Sequence, residues 1–284
     1  MIWILLVLFY GIAKGFRDVI KKKALTKNTV MEVLFVYTFI AFVFCIPTAG
    51  DCLEIPKIYF LLIPIKSFVI FIAWILSFNA LDNMPISVYG VVDLSRILFS
   101  TLFGVFILSE TISVTGGVGL ALVLFGLSLL KIYPTLKSNK IEEEHIKAKY
   151  IIIALISCVL NAVSGLLDKL YMKDLSSSQL QFWYMLFLTL FYGLYFVFRN
   201  VKIDGSVWRN GWIYCMAILF FLADKALFVA CKYPESKVTI MTLLKQSACI
   251  VSILAGKYIF KEKNIGYKLI CALVIIIGII VATI

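Results

Sequence analysis

The chain has 284 residues, 62% of them hydrophobic, with a mean hydropathy of +1.02 and a formal net charge of +11. Soluble domains are about 45–50% apolar, so an excess spread over the whole length excludes a soluble domain and indicates a polytopic membrane protein. The charge does not make a nucleic-acid binder, because most Lys and Arg residues fall in short loops between apolar runs, as the positive-inside rule requires.

Ten apolar stretches have the length of spanning helices. They run over about 2–20, 30–48, 58–82, 86–108, 112–131, 150–172, 178–198, 208–231, 235–258 and 264–283. The first is expected to span rather than to act as a secretory signal. It lacks a basic leading region and a small-residue cleavage site, and it ends in Lys14, Arg17 and Asp18. The long connection, "IYPTLKSNKIEEEHIKAK" at 132–149, reads as a charged linker between residues 1–131 and 150–284.

These two halves align with each other. "GFRDVIKKK" at 15–23 matches "GLLDKLYMK" at 165–173, pairing Gly15 with Gly165, Asp18 with Asp168 and Lys23 with Lys173. "PIS" at 85–87 matches "PES" at 234–236, which sets Arg96 on Lys245 and Asp93 on Thr242. With a small slip, Glu110 falls on Glu262 and Gly126 on Gly278. Five spans per half is odd, so the second copy must enter the membrane from the opposite side. The expected fold is therefore all-α, with ten transmembrane helices as two inverted five-helix repeats and a substrate site at the repeat interface.

Charges inside a spanning helix cost about 2.5–3.5 kcal/mol each on insertion scales and persist only when paired or hydrated. Here they fall on spans 1 (Lys14, Arg17, Asp18), 3 (Lys66, Asp82), 4 (Asp93, Arg96), 6 (Asp168, Lys169), 8 (Asp224, Lys225) and 9 (Lys245). Spans 2, 5, 7 and 10 carry none in their interiors, so six helices should line a polar cavity and four should form a scaffold. Seven bases against five acids give that cavity a positive balance. Asn79, Asn161 and Gln246 add uncharged polar groups, and Trp74, well inside span 3, adds a wall on which a ligand could stack or which simply packs between helices. Trp3, Trp183, Trp208 and Trp212 lie near span ends, as an interfacial belt requires.

Several of these charges also have a purely structural reading. Lys14, Arg17 and Lys66 are near enough to span ends to snorkel. Asp168–Lys169 and Asp224–Lys225 diverge by about 100° on a helix, so their partners should sit on neighbouring helices. Asp93 and Arg96, at i and i+3, share a face and offset each other. Lys245 has no such local acid and is the sharper anion ligand. Glu110 and Glu262 are expected to cap the helices that follow them. The seven cysteines lack metal spacing and mostly sit in apolar runs as small hydrophobes. The one histidine, His145, lies in the charged linker. No catalytic residue, metal site or cofactor is expected.

"ALDNMPIS" and "ACKYPES" opening spans 4 and 9, "LSET" and "FKEK" closing them, and the duplicated five-span plan resemble the EamA-type drug/metabolite transporter superfamily. The resemblance implies alternating access around a site lined by helices 1, 3, 4, 6, 8 and 9. It implies basic ligands at Arg96 and Lys245, the positions where plastid phosphate translocators in the superfamily hold an anion. The chain departs from the family in having Tyr10-Gly11 where many members have Trp-Gly, and Gln246 where those translocators place a second base.

The expected function is a secondary transporter or exchanger, and not an enzyme, for a small polar, anionic metabolite. Lys245, Arg96, Gln246, Trp74, Asn79, Lys225 and Asn161 are its candidate substrate ligands. Asp93, Asp18, Asp168, Asp224 and Lys14 are the candidate charge-pairing or coupling groups, with protons or an exchanged metabolite as coupling partners. The alternatives are an exporter of amino acids, amines or lipophilic compounds, and a flippase for a lipid-linked phosphate or aminosugar. The expected location is the cell membrane. Charge bias puts sixteen Lys and Arg residues at one side, against Lys57, Lys173 and Lys232 in the loops at the other. That bias places both termini outside, whereas the resemblance implies both inside.

Overall fold

A computed structural model describes residues 2–108, 114–136, 147–200, 202–233, 236, 241, 244–245, 247–262 and 265–283. Among these residues the chain is helical throughout, without a strand. The helices are α1 (Ile2–Leu25), α2 (Val30–Cys45), α3 (Tyr59–Asp82), α4 (Ile86–Asp93), α5 (Arg96–Leu108) and α6 (Val114–Leu136) in the first half. The second half holds α7 (Ala148–Tyr171), α8 (Ser177–Arg199), α9 (Gly211–Cys231), α10 (Ser247–Tyr258) and α11 (Ile265–Thr283). Among the described residues, six segments are long and apolar enough to cross a membrane: Val30–Gly50, Tyr59–Asp82, Ile86–Gly104, Ala148–Tyr171, Ser177–Arg199 and Gly211–Cys231.

The environment of α1 is written in its burial. Leu5, Phe9, Ile12 and Phe16 are 67, 45, 45 and 52% exposed, whereas Lys14, Arg17, Asp18 and Lys21 are all at most 9% exposed. A helix in water arranges these the other way round. Apolar faces outward and charges inward are stable only where the surrounding solvent is hydrocarbon. Lys14, Arg17 and Lys66 therefore do not snorkel.

Two matching capping boxes start α2 and α8. Thr29 Oγ1 accepts from Glu32 N (3.4 Å) while Glu32 Oε2 accepts from Thr29 N (3.0 Å). Ser176 Oγ accepts from Gln179 N (3.1 Å) while Gln179 Oε1 accepts from Ser176 N (2.7 Å). Each box satisfies two donors that a helix start leaves free. Both residues of the second lie 147 positions after their counterparts, a further sign of duplication.

Among the described residues, the main helix contacts are matched when the halves are exchanged. α1 packs on α9 as α7 packs on α3, α1 on α10 as α7 on α5, and α2 on α9 as α8 on α3. The pairs α2–α8 and α6–α11 map onto themselves. α1 lies close to α10 and to the residues just before it: a Cβ on Gly11 would fall 2.9 Å from Leu244 O, and one on Gly15 2.6 Å from Val251 Cβ. Small residues four apart let two helices approach to backbone contact.

One expected element is divided. The span at 86–108 is broken at Leu94–Ser95 into α4 and α5. The turn between them tightens to i→i−3 bonds, with Ser95 N donating to Val92 O (3.0 Å) and Ile97 N to Leu94 O (3.1 Å). Non-helical backbone at membrane depth is tolerated where protein or a polar cavity covers it, and Leu94 and Ser95 are 0 and 1% exposed.

Candidate functional site

A cavity of about 130 Å³ opens between the two halves, lined from α1, α3, α5, α7 and α9 and by Lys245, which precedes α10. Tyr89 adds α4 to its wall. The expected scaffold helices behave less uniformly. α2 and α8 each send one tyrosine into the cavity, Tyr37 and Tyr184. These two are also 147 residues apart, each eight after its capping residue. A tyrosine is long enough to carry its phenol past the neighbouring helices, which a count of charges does not reveal.

The ionic groups pair across helices. Asp93 sits between two cations: its Oδ1 accepts from Arg96 Nη2 at 2.8 Å, and its Oδ2 takes the Lys14 ammonium from α1. The pair expected within one span is thus a triad that ties α1 to the break between α4 and α5. Lys66 of α3 meets Asp168 of α7 at 3.0 Å and lies 4.0 Å from the centre of the Tyr184 ring. Lys21 pairs with Asp18 at 2.8 Å. Arg17 stands 4.0 Å from Asp224 Oδ1, with its guanidinium 4.8 Å from the centre of Phe220.

Three basic groups on this wall keep unused capacity. Arg17 Nη1 and Arg96 Nε are buried without a hydrogen-bond partner. Lys245 has no carboxylate within 4.0 Å among the described residues, and its ammonium lies 5.5 Å from the Tyr10 ring. Unsatisfied buried donors are costly unless a ligand or water accepts from them.

The candidate ligands divide clearly. Lys245, Arg96, Trp74 and Asn161 line the cavity, as do Lys14, Asp18, Asp168 and Asp224 among the charge-pairing candidates. Asp93 lies beneath them, 4% exposed. Trp74 packs edge-on against Phe220 with ring centres 5.4 Å apart. Asn79 turns back along its own helix, donating to Ile75 O at 2.8 Å. Lys225 leaves the cavity to donate to Ser178 Oγ at the start of α8. Lys169 likewise donates to Cys231 O and Ser236 O, both at 3.0 Å. Asp82 is exposed at the end of α3. Gln246, Thr242, Glu110 and His145 lie outside the described residues.

Two further residues depart from expectation. Lys21, just past the expected end of span 1 at residue 20, faces the cavity because α1 continues to Leu25. Glu262 caps a helix, but in the other half of the chain: its Oε1 accepts from Ile86 N (2.7 Å), its Oε2 from Ser87 N (3.3 Å) and from the Ser87 hydroxyl. Gly256 makes room for it, since a Cβ there would fall 2.8 Å from Glu262 Oε2. Lys268, 3.5 Å away, completes the arrangement.

Fold, burial and site together define a multi-pass integral membrane protein with a charged cavity between two like halves. The model of the EamA-like transporter family matches residues 1–132 and again 148–284, and the chain belongs to that family of membrane transporters. A solved crystal structure of another protein superposes with a TM-score of 0.62 over 96% of each chain at 16% identity, a likeness of fold alone. No curated protein sequence matches.

Proposed function

We propose that this transporter moves a small anionic metabolite by alternating access, as a secondary transporter or exchanger. Ten spans in two inverted repeats, 1–131 and 150–284 joined by 132–149, provide the frame, and the matched helix contacts support that reading. The observation that carries the substrate class is Lys245, a cavity lysine with no carboxylate within 4.0 Å among the described residues. With Arg17 Nη1 and Arg96 Nε also lacking acceptors, a carboxylate or phosphate would gain charge-assisted hydrogen bonds on entering.

The cavity bases Lys14, Arg17, Lys21, Lys66, Arg96 and Lys245 outnumber Asp18, Asp93, Asp168 and Asp224. Those acids are the groups through which protons or an exchanged metabolite would be coupled. The membrane in question is the cell membrane on this reading.

The test is uptake of radiolabelled organic anions and phosphate esters into proteoliposomes. Saturable anion flux that Lys245→Gln removes is the expected result. Flux of amines or neutral amino acids without any anion flux overturns it. That outcome would favour an exporter, for which the aromatic wall of Trp74, Phe220 and Tyr37 is the specific support.

A further inference from the structure

Away from the transport cavity, a second hollow of about 530 Å³ opens where the loop after α1 meets the start of α9. Its floor is prebuilt from two asparagines. Asn210 Nδ2 donates to Asn28 Oδ1 at 2.7 Å and its Oδ1 accepts from Trp212 N at 3.2 Å, so one side chain joins the two loops and caps α9. Asn210 is only 7% exposed.

The rim is basic and free. Lys27 and Arg209 are exposed, and neither has a carboxylate within 4.0 Å among the described residues. The acids of this corner are already engaged: Asp204 accepts from Ser206 N (3.1 Å) and Ser206 Oγ (2.7 Å), and Glu32 accepts from Asp204 N (3.0 Å). At Gly211, the first residue of α9, nothing lies within 4 Å of where a Cβ would be, so its backbone is open to a ligand. The start of a 21-residue helix adds a positive partial charge there.

Exposed aromatic rings fix the depth of this site. Trp208, Trp212 and Tyr214 are 38, 42 and 40% exposed around it, and Lys23 Nζ lies 4.9 Å from the Trp212 ring. Tryptophan and tyrosine at span ends sit at headgroup level. The hollow also belongs to the side of the chain that carries the Lys and Arg excess, which the charge bias places at the cytoplasmic leaflet, where anionic lipids concentrate.

From this geometry we infer a binding site for the phosphate of an anionic phospholipid headgroup, held between Lys27 and Arg209 over the start of α9. The hollow contains its own reporter. Cys215 lines it and is the exposed one of the seven free cysteines.

The full chain is reconstituted in nanodiscs of phosphatidylcholine, with or without phosphatidylglycerol. Alkylation of Cys215 by a neutral maleimide is then followed by mass spectrometry. Phosphatidylglycerol slows the reaction, and Lys27→Gln with Arg209→Gln restores the phosphatidylcholine rate. Each basic residue near a membrane surface strengthens attraction to anionic lipid about fivefold, so the double variant should lose roughly 25-fold in lipid preference. Lys202→Gln, which removes an exposed charge outside the hollow, retains the protection. Equal rates in the two lipids, protection that survives in the double variant or is lost in Lys202→Gln, or equal protection by inorganic phosphate overturns the proposal.

Discussion

Lys66 Nζ of α3 and Asp168 Oδ1 of α7 meet at 3.0 Å across the interface between the two halves, with Lys66 1% exposed. Breaking a buried pair by removing one partner strands the other charge, whereas replacing both with apolar groups is often neutral. Lys66→Met is expected to cost about 3–5 kcal/mol, and so is Asp168→Leu. The double variant Lys66→Met/Asp168→Leu should recover most of that loss. Thermal unfolding in detergent measures all three, and additive losses would show that the two residues do not depend on each other.

Asp93 serves two cations, so its loss should cost more than the loss of either partner. Asp93→Asn leaves Lys14 and Arg96 facing each other without a counter-charge and should destabilise by about 3–5 kcal/mol. Lys14→Met keeps the 2.8 Å contact between Asp93 and Arg96 and should cost less. The same unfolding assay ranks them, and equal midpoints for the two variants would argue against the shared role.

Gly15 and Gly165 are counterparts in sequence but not in surroundings. A Cβ on Gly15 meets Val251 Cβ at 2.6 Å and Ala248 O at 2.9 Å, whereas one on Gly165 meets nothing within 4 Å. Gly15→Ala must push α1 off α10 and should cost about 1–3 kcal/mol, the usual range for overpacking. Gly165→Ala should be neutral, or stabilising by up to about 1 kcal/mol through better helix propensity. Unfolding midpoints that fall equally for both would contradict this asymmetry.

Glu262 holds the start of α4 from the opposite half. Glu262→Ala removes charge-assisted bonds to Ile86 N and Ser87 N and should cost about 1–3 kcal/mol. Ser87→Ala removes only the hydroxyl bond and should cost about 1 kcal/mol. Hydrogen exchange at the amides of residues 86 and 87 should quicken in the first variant and change little in the second.

For transport, Lys245→Gln should lower anion uptake by roughly 10- to 150-fold, the equivalent of one charged hydrogen bond of about 1.5–3 kcal/mol. The unfolding midpoint should hold, because no ion pair among the described residues is broken. A variant that unfolds early would make Lys245 a structural residue instead.

Much of this protein was legible before any fold was known. Hydropathy alone required a membrane, because no soluble core could absorb so much apolar surface. Repeated stretches such as "GFRDVIKKK" and "GLLDKLYMK" revealed the duplication, since residue order survives in the chain whatever the packing. The concentration of charge on six spans marked the cavity-lining helices, because hydrocarbon penalises an unpaired ion wherever it occurs.

The rotation of each helix about its axis, and the places where helices break or continue, were decided only by tertiary packing. Adjacent residues point about 100° apart on a helix, so a small rotation separates Asp224, which faces the cavity, from Lys225, which reaches Ser178. The same freedom brings Lys14 to Asp93, Lys66 to Asp168 and Glu262 to α4. Each is a contact between segments far apart in the chain. Tyr37 and Tyr184 entered the site unannounced because a tyrosine is at home in lipid, interface or cavity alike. Only the packing of its neighbours selects among them.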